Sequence, residues 1–172
     1  MIGHRAVAGV ALLTASALLA GCAGQEQSGT PAQRVSTWVT GTGFGATIGT
    51  LHGDAQRVDE AVRMSLGTAA VHTVCALLTT DSQSANNDLP TPDDQLTQKL
   101  ASAYSLEYDA GNDCFTAGAA NRSLLARSAR ERRRAEALLD QALARVTAVS
   151  GLVVSTTTTT APGGGGGGGG FP

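Results

Sequence analysis

Apolar residues recur along most of this chain at spacings of three, four and seven, as they do in helices that bury one face. The plainest run is Leu96, Leu100, Ala103, Ala110, Cys114 and Ala117. It opens at LPTPDDQL, where Thr91 stands as the N-cap, Pro92 takes the first helical position, and Asp93 and Asp94 face the positive end of the helix dipole. Gly118 is a suitable stop. Asn121 can cap the next helix, whose stripe is Leu124/Leu125, Ser128, Ala135, Leu138/Leu139, Ala142, Val146 and Val149. Upstream, Val71, Val74, Cys75, Leu78, Ser82 and Ala85 mark a helix from about Thr68. Before it, Phe44, Ile48, Leu51, Ala55, Val58 and Val62 mark another, up to Gly67. No alternating β-branched run of useful length competes with these. The pattern predicts an all-α fold, an antiparallel bundle of about four helices over residues 35–150.

The two ends of the chain break the pattern. Ala6 to Gly21 is apolar but interrupted by Gly9, Thr14 and Ser16, and it follows His4 and Arg5. A spanning helix needs about 20 apolar residues. A charged start, a short apolar middle and small residues at the end describe an export leader instead. The end, Leu19-Ala20-Gly21-Cys22, resembles the lipobox of bacterial lipoproteins. That resemblance covers the first 22 residues. It implies that residues 1–21 are a signal peptide, that the Cys22 thiol is acylated, and that cleavage makes Cys22 the new N-terminus. The partner so implied is the lipid bilayer, and the location is the outer face of the cytoplasmic membrane. Two acyl chains on one residue suffice for stable anchoring, which a single chain does not give. Residues 22–34, with the small polar run AGQEQSGTPA, read as a flexible tether. Residues 151–172, ending STTTTTAPGGGGGGGGFP, read as a disordered tail, because eight consecutive glycines cost too much backbone entropy to order. The Thr tract is either bare or O-glycosylated.

Charge and composition then exclude one class. Net charge is −2, or −3 once the leader and its Arg5 are gone, and aromatics make up 3% of the chain. Neither suits a nucleic-acid partner, and so few aromatics offer few platforms for stacking bases or sugars.

With Cys22 taken by lipid, Cys75 and Cys114 are left as a pair, each on an apolar stripe, in a compartment where disulfides persist. A bridge between them is expected. In a simple helical hairpin turning near residues 87–91, Cys75 lies about 20 Å from the turn and Cys114 about 33 Å, at 1.5 Å per residue. The bridge therefore calls for a long connection, with Asp81–Pro90 partly extended. The alternative, Cys75 and His72 as metal ligands at i and i+3, lacks further partners nearby.

Two patterns suit an interaction surface. Gly41, Gly45, Gly49 and Gly53 recur every four residues. They form either a smooth ridge for another helix or, in GTGFG, a loop before a helix that starts at Ala46. Arg127, Arg130, Arg133 and Arg134 lie in RSARERRRAE. That run either meets anionic headgroups or wall polymers, or faces Asp113, Asp109 and Glu107 of the preceding helix. The internal pairing is favoured.

Catalytic chemistry is poorly represented, and no catalytic residue, metal ligand or cofactor is assigned. His52 and Asp54 could pair a base with an orienting carboxylate, yet no activated nucleophile is indicated beside them. Glu107 sits at a stripe position and is either buried or leaning out to an arginine of the last helix. The Glu-x-x-His motif of di-metal bundles is absent from the sequence. STWVTGTGFGATIGTL, DLPTPDDQLTQKLASAYSLEYDAGNDC and NRSLLARSARERRRAEALLDQAL, with Trp38, Cys75, Cys114 and the Leu89-Pro90-Thr91-Pro92 turn, resemble stretches of small uncharacterised actinobacterial envelope lipoproteins. The resemblance implies an anchored helical domain and brings no active site. The expectation is a non-enzymatic binding or scaffold domain of the cell envelope, with an envelope protein as partner. The alternative is a carrier or sensor of a small apolar ligand held between the helices.

Overall fold

In a computed structural model, residues 28–156 are described. They form five α-helices and, among the described residues, no strand: α1 (Pro31–Gly41), α2 (Phe44–Arg63), α3 (Thr68–Asn86), α4 (Asp94–Ala117) and α5 (Arg122–Ser150). The leader, Cys22 and residues 157–172 lie outside the described residues.

Helix α1 was not anticipated. It begins within the segment read as a tether because Thr30 and Gln33 form a reciprocal capping box. The Thr30 hydroxyl accepts from the Gln33 N–H at 3.2 Å, the Gln33 side chain accepts from the Thr30 N–H at 2.8 Å, and Pro31 fills the first helical position. Both devices start helices regardless of how small and polar the residues around them are. Gly41 ends α1, and Gly43 turns the chain at φ 66° into α2. The four-residue glycine repeat is therefore split between two helices.

Helix α4 starts two residues later than expected. Its N-cap is Asp93, whose carboxylate accepts from the Leu96 N–H at 2.8 Å. The Thr91 hydroxyl is held instead by the Asp93 carbonyl at 2.7 Å and by Thr97 at 2.9 Å. The other end of α4, at Gly118, and the Asn121 cap of α5 stand where the pattern puts them. Helix α3 continues to Asn86, so Asp81–Asn86 is helical and only residues 87–93 connect α3 to α4. At about 3.3 Å per extended residue, that short link still spans the axial offset between the two helices.

Two apolar clusters fill the interior. In one, Phe44, Ile48 and Leu51 of α2 meet Leu96, Leu100 and Tyr104 of α4, Leu139 and Val146 of α5, and Val35 of α1. In the other, Val58 and Ala61 meet Val71, Cys75 and Leu78 of α3 and Ala110 and Cys114 of α4. Each fully buried Leu, Ile or Phe contributes about 1.5–3 kcal/mol. Trp38 closes the first cluster, its ring 5.2 Å from that of Phe44 and its N–H donating to the Asp88 carbonyl at 3.1 Å. Along α4 and α5 the touching pairs are Asp113 with Arg127, Ala110 with Ser128, Lys99 with Gln141 and Asp93 with Arg145. Past α5 the chain loses regular structure but not contact. Val154 packs on the first cluster, and the Ser155 carbonyl lies 2.6 Å from where a Cβ on Gly45 would sit. The segment read as tail from residue 151 is thus held at its start.

Candidate functional site

Cys75 and Cys114 are bonded, with Cα atoms 5.7 Å apart and both residues fully buried. Nearby α3 and α4 come close enough that a Cβ on Gly111 would meet the Thr79 N at 2.9 Å and the Cys75 carbonyl at 3.0 Å. His72 does not pair with Cys75; its ring stacks on Phe115 at 4.3 Å. Among the described residues no three His, Cys, Asp or Glu side chains gather as a metal site, and no helix is long and apolar enough to cross a membrane.

The glycines do not share one environment. Gly41 faces open space, Gly45 lies under the chain's own Val154 and Ser155, and Gly49 and Gly53 are buried. The basic run also divides. Arg127 pairs with Asp113, as expected from the internal reading, and approaches Glu131 at 3.8 Å. Arg130, Arg133 and Arg134 are exposed and make no ion pair among the described residues. The matching of Asp109 and Glu107 to those arginines is not formed.

Glu107 points inward instead. It is 1% exposed, its Oε2 has no partner, and burial pushes its carboxyl up to about 8. The nearby Arg132 guanidinium opposes that rise, while Glu136, Asp54 and Asp59 add to it. Arg132 is itself buried, donating to the Ser128 hydroxyl at 2.6 Å and to Asp59, and Ser128 donates on to the Ala110 carbonyl at 2.8 Å. Asp54 completes this polar layer. It is 1% exposed, paired on one oxygen with Arg57, and raised to about 6 by burial and then by Asp81 beside it. The layer separates the two apolar clusters along the helices: Asp54 stands between Leu51 and Val58, and Glu107 between Tyr104 and Ala110. No hydrogen bond joins His52 to Asp54, so the base-and-carboxylate pair is not assembled. Perturbed carboxyls mark functional sites only when they line a cleft, and the principal grooves are lined by other residues.

A groove of about 670 Å³ runs between α3 and α4. Ser82, Gln83, Asn86 and Asn87 line one side, and Tyr104, Ser105 and Tyr108 the other. Sequence reasoning missed it, because Asp81–Pro90 read as partly extended and Gln83, Asn86 and Asn87 were not placed on a helix face. The spacing of Tyr104 and Tyr108 at i and i+4 was the available signal. A smaller groove of about 150 Å³, lined by Ala61, Val62, Leu66 and Val71 among others, opens at the α2–α3 turn. Comparison with protein-family models, with curated proteins and with solved structures finds no match for this chain.

Proposed function

We propose that this protein is a lipid-anchored component of the cell envelope. In this reading residues 1–21 are removed on export, Cys22 is acylated, and a tether leads to an antiparallel bundle on the outer face of the cytoplasmic membrane. The bundle then serves as a non-enzymatic binding or scaffold module. The use of the three cysteines carries the reading. One ends a lipobox-like tetrapeptide, and the other two are joined in the core, as befits an oxidising compartment. The descending order of α4 partners along α5 supports the antiparallel arrangement. The non-enzymatic character is supported by carboxyls that are buried away from the grooves. The groove between α3 and α4, lined by amides, hydroxyls and phenols, does not favour the apolar-ligand carrier.

Metabolic labelling with a clickable palmitate analogue tests the anchor. The parent chain should carry label and sediment with membranes, while Cys22→Ser should do neither. Equal labelling of the two chains would remove the proposal.

A further inference from the structure

We infer that the groove between α3 and α4 is a binding site for a neutral saccharide. Its volume, about 670 Å³, falls within the range of about 300–1,000 Å³ typical of small-ligand sites. None of the seven residues lining it is charged. An anionic ligand would call for Lys or Arg, and an apolar one for aliphatic walls. What the groove offers is amides, hydroxyls and two phenols. An amide presents donors and an acceptor together, which is the pattern that adjacent sugar hydroxyls return.

The aromatic content sharpens the match. The chain has two tyrosines, and both line this groove. A phenol ring is apolar on its face and polar at its tip, so it can take the C–H face of a pyranose and a neighbouring hydroxyl at once. Tyr104 is 2% exposed, yet its hydroxyl makes no hydrogen bond among the described residues. The ring is buried but the hydroxyl is not among the buried atoms left without a partner, so it is reached from the groove, where it can meet a ligand hydroxyl. The side chains of Gln83, Asn86, Asn87, Ser105 and Tyr108 are likewise unengaged among the described residues. The walls are also held in place: α3 and α4 meet closely at Gly111 and are bonded at Cys75–Cys114. A preformed site loses less entropy on binding.

The inference rests on the groove and not on the anchor. The Cys22→Ser chain should therefore bind sugar as the parent does, and loss of the anchor reading would leave it standing. The test is saturation-transfer NMR and calorimetry on the full chain with maltotriose, mannotriose and tri-N-acetylglucosamine at millimolar concentration. At least one should bind, and Asn86→Ala and Tyr108→Ala should each weaken that binding about ten-fold with unchanged helical circular dichroism. Asn86 is exposed, so its truncation leaves the packing intact. Absence of binding across the panel, or binding indifferent to both substitutions, overturns the inference. So does preferential binding of an acidic sugar or a short peptide.

Discussion

Replacing Glu107 with Gln probes the polar layer at its most perturbed member. Burial raises the carboxyl from an ordinary 4.5 to about 8. Between those values the folded chain keeps a proton that the unfolded chain releases, so stability falls as pH rises through the window. The slope is about 1.4 kcal/mol per pH unit, which places the penalty near pH 7 at about 3 kcal/mol. Gln has the same shape and no proton to lose, so it escapes that penalty. Urea unfolding of the full chain, with the cystine intact, should find Glu107→Gln more stable than the parent by about 3 kcal/mol near pH 7 and about equal near pH 4. Asp54 titrates in the same direction in both chains and largely cancels from the difference. A gap that does not vary with pH, or a parent that is the more stable near neutrality, would refute the reasoning. The first result would mean that Glu107 titrates alike in the folded and unfolded chain, and the second that it is ionised in the fold and stabilised by Arg132.

Three further perturbations read other parts of the structure. Gly111→Ala drives a methyl against the Thr79 and Cys75 backbones, which cannot step aside, and should cost about 2 kcal/mol in thermal unfolding; an unchanged melt would place α3 and α4 further apart. Removing the cystine as Cys75→Ala with Cys114→Ala frees a loop of sequence separation 39 and should cost about 4 kcal/mol by urea titration. An unshifted midpoint would show that the bond constrains nothing the core does not already hold. Asp93→Ala removes the cap of α4 and should cost about 1 kcal/mol near neutral pH. Arg145 holds the Asp93 carboxyl below its usual range, so that contribution is present above about 3.8 and should fade as the pH falls further. A difference that persists in acid would assign the effect to packing.

The stripes on α4 and α5 were legible because burial repeats with the helical period, and Leu96, Leu100, Cys114, Leu139 and Val146 are all buried as spaced. The caps at Gly118 and Asn121 were legible because they are local chemistry. The start of α1 was equally local in Thr30-Pro31-Ala32-Gln33, but the small polar residues before it masked the signal. Other features depend on partners distant in sequence. Asp93 outcompetes Thr91 as a cap where Arg145, from another helix, grips its carboxylate at 2.6 Å. Glu107 turns inward beside Arg132, a residue whose neighbours in the basic run face solvent. The period itself marks Arg132, which fills the seven-residue gap between Ser128 and Ala135 in the buried stripe of α5; its charge is what set it apart from an apolar pattern.

The bond between Cys75 and Cys114 also reroutes mechanical load. A chain held at its start and pulled at its end carries tension through α1, α2 and the first turns of α3, crosses the sulfurs, and leaves through the last residues of α4 and α5. Residues 76–113 hang off that line as a closed loop. At about 3.5 Å per extended residue, roughly 130 Å of chain is withheld from stretching. Every residue of the α3–α4 groove, from Ser82 to Tyr108, lies inside the loop. Tension applied in this way can thus peel neighbouring helices from the groove, but it cannot draw out the backbone that forms it until a reductant opens the bond.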